Sequence, residues 1–184
     1  WSIRENLEER PELQEFLDLL QQAGQQDREW ETALESMATA YAQERTVQQF
    51  ADSLGLSQGI SGYVYHTVPV VVYAWYLHFG SFEDTVSAVL NCGGDTDTTG
   101  AISGALAGAV TGEGGIPADW LNGLCDWPRG TGILREIADQ LAQNSEGFQR
   151  GSPVRYFWPG MLLRNVFLLV FVLLHGFRRL APPY

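Results

Sequence analysis

Leu13, Phe16, Leu17 and Leu20 recur at three- and four-residue intervals, and so do Trp30, Leu34, Met37 and Tyr41. That spacing places apolar side chains on one face of an α-helix, so two amphipathic helices separated at Gly24 are expected. Thr46 is positioned to cap a short third helix through Phe50 and Leu54. Gly55, Ser57, Gly59 and Ser61–Gly62 then read as a loop. Val64–Tyr76 is rich in Val and Tyr, which favour strands, but it is apolar all round and too long for a typical strand. A buried helix with Pro69 in its first turn accommodates both features. Ser81 and Asp84 have capping-box spacing and open the next helix, through Val86, Val89 and Leu90, which Gly93–Gly94 stops. A further helix is expected from about Asp97 to about Val110. Ile116–Pro117 opens another through Trp120, Leu121 and Leu124, and Ile133, Ile137 and Leu141 mark one more. No strand pairing, long-period repeat or low-complexity linker is legible, so the pattern predicts one all-α domain over 1–184.

The end of the chain tests a membrane reading. Met161–Leu174 is strongly apolar, but its uninterrupted part, Val166–Leu174, is nine residues long, and a spanning helix needs roughly 20. Arg164 and Asn165 lie on one side of it, and His175, Arg178 and Arg179 on the other. A buried apolar helix over 160–177, with no membrane partner, is the expectation.

At 184 residues, with 45% hydrophobic and 18% charged residues, the chain has the balance of a globular protein rather than a disordered one. The formal net charge of −11 argues against nucleic acid as a partner, because phosphate neutralisation needs a basic face. Much of the acid precedes Ala51, in runs such as Glu5, Glu8, Glu9, Glu12 and Glu15, and reads as solvated helix surface. Cys92 and Cys125 lack metal-ligand spacing and read as buried free thiols in a reducing compartment. No signal peptide is visible, so a cytoplasmic location is expected. The first residue is Trp1 rather than Met, consistent with a processed or partial chain.

The chemistry concentrates in Asn91-Cys92-Gly93-Gly94-Asp95-Thr96-Asp97-Thr98-Thr99-Gly100. Two glycines permit a tight turn, and two carboxylates and several hydroxyls follow at the mouth of a helix. Asp95, Asp97 and Thr98 can aim oxygens at one point; these hard ligands suit Mg²⁺, Mn²⁺ or Ca²⁺. Helix capping alone is the competing explanation, since Asp and Thr are favoured caps and carboxylates are stabilised at a helix N-terminus. Behind them Gly100, Gly104 and Gly108 recur every fourth residue. Each glycine costs up to about 1 kcal/mol in a helix, so the stripe predicts a close helix crossing that would hold the acidic turn rigid.

Gly93-Gly94-Asp95-Thr96-Asp97-Thr98, followed by Gly100-Ala101-Ile102 and Gly104-Ala105, resembles the C-terminal signature of the ADP-ribosylglycohydrolase family. Gly59-Ile60-Ser61-Gly62-Tyr63 with Thr67-Val68-Pro69 is similar to that family's ligand-proximal loop and the helix after it, and Ile116-Pro117 with Trp120 is similarly placed. The resemblance covers 59–120. It implies the C-terminal part of an all-α domain that holds two Mg²⁺ ions in a complete site, with Mn²⁺ as an alternative. Asp95, Asp97 and Thr98 would be metal ligands. Gly59, Ile60, Ser61, Gly62 and Tyr63 would lie along ADP-ribose, with Tyr63 or a neighbour against sugar or base. The implied activity is hydrolysis of the N- or O-glycosidic bond of ADP-ribosylated substrates, the partner being ADP-ribose or an ADP-ribosylated protein.

The chain departs from the family pattern in one respect. The family's N-terminal Thr-Asp-Asp run and its Ser-Asn-Gly or Gly-Asn-Gly segment are absent, and no Asp-Asp pair occurs anywhere. Glu83-Asp84-Thr85 is the nearest imitation, and capping accounts for it. The acid–base residues are therefore expected in a missing N-terminal part. The isolated chain should be inactive, and a complementing N-terminal fragment is an expected partner. The alternatives are a non-catalytic relative that binds ADP-ribose or a protein, and a membrane-peripheral protein that uses its apolar C-terminal helix. His66, His78 and His175 lack metal spacing; His66 stands out because it follows the loop.

Overall fold

The computed structural model describes residues 9–24, 27–124, 126–145, 153–155 and 157–180. Cys125 and the acidic residues Glu5 and Glu8 lie outside them. The described residues form α1 (Leu13–Ala23), α2 (Arg28–Ala42), α3 (Val47–Ser53), α4 (Val64–Leu77), α5 (Phe82–Asn91), α6 (Thr96–Thr111), a 3-10 turn (Glu113–Gly115), α7 (Ala118–Gly123), α8 (Thr131–Ser145) and α9 (Trp158–Leu180). Among them there is no strand beyond an isolated parallel bridge between Ile60 and Gly94, so the all-α expectation holds. The chain divides into two compact units, Trp1–Pro117 and Ala118–Tyr184. Every buried hydrophobic side chain of the described residues, from Phe16 to Ala107, belongs to the first unit.

In that unit the helix starts are fixed locally. Asp27 caps α2 by accepting from the N–H groups of Glu29 (2.9 Å) and Trp30 (3.0 Å). Thr46 and Gln49 form a reciprocal capping box on α3, at 3.2 and 2.9 Å. The Ser81 hydroxyl accepts from the Asp84 N–H (3.3 Å) and donates to the Asp84 carboxylate (2.7 Å), so Asp84 is a capping residue, as its spacing indicates.

α4 is the axis of the unit. Pro69 through Tyr76 are all buried, and α2, α3, α5 and α6 pack around them. Phe16 stacks on Tyr76 at 5.1 Å, and Phe50 meets Tyr73 at 4.5 Å. Each fully buried side chain of this size contributes about 1.5–3 kcal/mol, provided its polar end is satisfied. Here the Tyr73 hydroxyl donates to Arg45 O (2.6 Å), Tyr76 to Pro11 O (3.0 Å) and Trp75 Nε1 to Leu106 O (3.1 Å). Because α4 begins at Val64, Pro69 falls in its second turn rather than its first. The hydrogen bond the proline removes is tolerated where packing on all sides holds the helix.

The glycine stripe of α6 is only partly a close crossing. A Cβ on Gly100 would come 3.1 Å from Leu90 Cδ2, whereas one on Gly104 or Gly108 would meet Phe82 at an ordinary 3.7–3.8 Å.

The second unit departs most from expectation. α9 extends over Trp158–Leu180, but Val166–Leu174 are each 47–76% exposed, not buried. The sequence gives α9 apolar residues on every side. α8 cannot cover them: its own apolar residues Leu134, Ile137 and Leu141 are also exposed.

Candidate functional site

Two segments distant in sequence, around Ile60 and around Gly94, are stitched together at the start of α4 and α6. The Ile60 N–H donates to Gly93 O at 3.0 Å, and the Asp95 N–H donates to Ile60 O at 2.7 Å. Backbone lies directly on backbone here. A Cβ on Gly94 would fall 2.2 Å from Ile60 O, and one on Gly59 would fall 2.6 Å from Gly94 N. Both residues have positive φ, 84° and 112°, so glycine is required twice over. Ile60 itself is fully buried. Its side chain anchors the bridge in the core rather than facing the site.

Asp95 caps α6. Its Oδ1 accepts from the Thr98 N–H at 3.3 Å, and its backbone carbonyl accepts from the Thr99 hydroxyl at 2.9 Å. Its Oδ2 lies over Gly62, where a Cβ would approach to 2.6 Å. A hydrogen bond with the Asp97 carboxyl, then the hydroxyl and N–H of Thr98, hold the Asp95 carboxyl below its usual range. Asp97 and Thr98 occupy the exposed first turn of α6. The structure thus brings Asp95, Asp97, Thr98 and the loop Gly59–Tyr63 to one place.

The loop turns into α4 through its own side chains. Ser61 Oγ is 2.8 Å from His66 Nδ1 and accepts from the Tyr63 N–H at 3.3 Å. Ser61 O accepts from the Thr67 hydroxyl at 2.8 Å. Tyr63 is 48% exposed, with its ring 5.5 Å from Tyr65 and 5.2 Å, edge-on, from His66. Its hydroxyl donates to Glu29 (3.2 Å), while Tyr65 donates to Asp27 (2.8 Å). The hydrogen bond to Asp27, reinforced by desolvation and nearby negative charge, pushes the Tyr65 hydroxyl up to about 12. Asp27 and Glu29 were not legible as site neighbours: they read as part of an acidic helix surface, and their partners lie 38 and 34 residues away.

Two adjoining carboxylates and a threonine hydroxyl are hard oxygen ligands and fit one side of a divalent cation. Among the described residues, no group of three or more His, Cys, Asp or Glu is arranged to hold a metal. Asp95, Asp97 and Thr98 offer about three of the roughly six oxygens Mg²⁺ requires.

Comparison with known proteins bears on what this arrangement belongs to. The chain is 41% identical over 64 residues to the ADP-ribosyl-[dinitrogen reductase] glycohydrolase of Rhodospirillum rubrum, covering 35% of this chain and 21% of that protein. It is 33% identical over 81 residues to the ADP-ribosylarginine hydrolase Tri1 of Serratia proteamaculans (strain 568), covering 44% of this chain and 21% of the relative. A Tri1 from Pseudomonas putida (strain GB-1) is 29% identical over 86 residues, 47% of this chain and 23% of the relative. The chain therefore spans only about a fifth of the length of the curated relatives it matches. No solved structure matches it. The family profile described as ADP-ribosylglycohydrolase matches residues 2–150, which is most of the sequence, and the chain belongs to the ADP-ribosylglycohydrolase family.

Proposed function

We propose that this chain supplies one wall of an ADP-ribosyl hydrolase site that cleaves the N- or O-glycosidic bond of ADP-ribosylated substrates with Mg²⁺. The observation that carries the reading is the Ile60–Gly94 bridge, which puts the carboxylates of the α6 turn against the loop that resembles the family's ADP-ribose-proximal segment. Asp95, Asp97 and Thr98 would hold the cation from one side. When bound, Mg²⁺ supplies positive charge and activates a coordinated water. Asp95 is kept ionised by its neighbours. Tyr63, exposed and braced by Glu29 and His66, offers an aromatic face for a base or sugar. Gly62, having no side chain, lets the Asp95 carboxylate lie against the loop backbone. The remaining ligands and the acid–base group would come from an N-terminal portion of the protein, because among the described residues no further His, Cys, Asp or Glu joins Asp95 and Asp97 in a metal-binding group. That same observation favours the second reading, a relative that binds ADP-ribose without hydrolysing it.

The test is release of ADP-ribose from a protein bearing arginine-linked ADP-ribose, the linkage named for Tri1. The chain is assayed alone and with a complementing N-terminal segment. Little turnover is expected alone, and Mg²⁺-dependent turnover with the segment. Asp95→Asn keeps a good helix cap but removes the charge, so it and Asp97→Ala should abolish the restored activity. Robust Mg²⁺-dependent turnover by the chain alone would refute the half-site. A restored enzyme indifferent to both substitutions would refute the ligand assignment. Binding of ADP-ribose without turnover in any combination would establish the second reading.

A further inference from the structure

We propose that α9 is a membrane-spanning anchor and that its occupant is the hydrocarbon of a lipid bilayer. Trp158–Arg179 is a helix of 22 residues long and apolar enough to cross a membrane; at 1.5 Å per residue it is about 33 Å long, against a hydrocarbon core of about 30 Å. The core helix of a soluble domain passes the same length test, but such a helix is mostly buried, and only 6% of the apolar 18-residue stretch of this one is buried.

The distribution of exposure selects the occupant. Val166 through Leu174 make two and a half turns of apolar side chains, and all nine are half-exposed or more open. They therefore face every direction around the axis. A single helix packed against it, from a protein partner or a second copy of the chain, covers one stripe and leaves the opposite side in water; α4 is covered all round only because four helices surround it. A bilayer covers the whole circumference.

The polar residues are placed as a span requires. Arg164 and Asn165 lie toward one end, His175, Arg178 and Arg179 toward the other, and the helix contains no acidic residue. Arg164 is paired with Asp126 at 2.5 Å, and its long stem can carry the charge toward the near interface. Phe157 and Trp158, both more than 60% exposed, are aromatic residues of the kind enriched at headgroup depth. Arg178 and Arg179 meet anionic headgroups at the far side. Arg164 does not bound the apolar segment, because a charge within two turns of a helix end does not end a span.

The full chain should be reconstituted with neutral phosphatidylcholine vesicles, which remove headgroup attraction as a cause of binding. The expected result is co-flotation that survives extraction at pH 11 and high salt. Val170→Arg, at the middle of the apolar run, should reduce the floated fraction about a hundredfold, the partition change for a charged side chain at the bilayer centre. Leu141→Arg, on the exposed apolar face of α8, should leave flotation unchanged. Circular dichroism of both variants confirms that the helices persist. Three outcomes overturn the proposal. One is a chain that stays in the aqueous fraction, as a monomer or as oligomers. Another is binding only to anionic vesicles that salt or pH 11 reverses, which is surface adsorption. The third is equal loss from the two variants, which is non-specific stickiness.

Discussion

Replacing Gly94 with alanine tests whether the Ile60–Gly94 contact closes the site, and Gly93→Ala is its internal control. Both glycines have positive φ, 71° at Gly93 and 84° at Gly94, so alanine at either pays a left-handed backbone penalty of about 1–2 kcal/mol. Only Gly94 is crowded. Its new Cβ would lie 2.2 Å from Ile60 O and 2.4 Å from Ile60 N, while nothing lies within 4 Å of a Cβ at Gly93. The crowding atoms are backbone and cannot rotate aside. The chain can bend around the methyl group, at about 1–3 kcal/mol for overpacking. It can instead open the bridge, losing the Ile60 N–H to Gly93 O and Asp95 N–H to Ile60 O bonds at about 1 kcal/mol each. Either route adds about 2 kcal/mol that Gly93→Ala does not incur. With urea slopes of about 1–3 kcal/mol per M, the Gly94→Ala midpoint should fall roughly 1 M below that of Gly93→Ala. Helical circular dichroism against urea measures both. Coincident midpoints for the two variants would refute the argument that backbone contact, rather than glycine flexibility, holds the loop against the acidic turn.

Further predictions concern the same unit. Gly104→Ala and Gly108→Ala should each raise stability by about 0.5–1 kcal/mol, because the added methyl meets Phe82 at ordinary contact distance; Gly100→Ala, at 3.1 Å from Leu90, should show no such gain. Urea midpoints decide this, and a loss at Gly104 would mean that α5 and α6 pack more tightly than they do here. Gly62→Ala should displace the Asp95 carboxylate, 2.6 Å from the new Cβ, and weaken Mn²⁺ or Mg²⁺ binding about tenfold or more; unchanged affinity by titration would remove Asp95 from the proposed ligand set. In an absorbance titration at 295 nm, Tyr65 should ionise near pH 12 rather than 10. Because its folded value is raised, the stability it contributes is fully present below pH 10 and is lost as pH rises through 12. Asp27→Asn, which preserves the α2 cap, should bring that ionisation back toward 10, and no change would refute the Tyr65–Asp27 bond as the cause.

How much of this was legible in the sequence depends on the range of the interaction concerned. Capping is local: Thr46 with Gln49 and Ser81 with Asp84 lie three residues apart, so sequence spacing alone finds them. The helices of the first unit follow their apolar periodicity for the same reason. The family signature places Asp95, Asp97 and Thr98 beside Gly59–Tyr63, and the bridge has that arrangement. No spacing rule, however, could disclose that Gly59 and Gly94 are glycines because they oppose each other, or that Tyr63 and Tyr65 reach back to Glu29 and Asp27. In each case the residue type answers to a neighbour that is distant in sequence. α9 shows the complementary failure. Its helical character is local and was legible, whereas burial is a property of the surroundings. An apolar run predicts only that water will be excluded; what excludes it must be supplied by something else. In the first unit α4 meets that demand, with four helices around it. α9 is as apolar in its middle as α4, yet among the described residues it has no comparable cover. The two helices therefore read alike in sequence and differ in the solvent for which each is built.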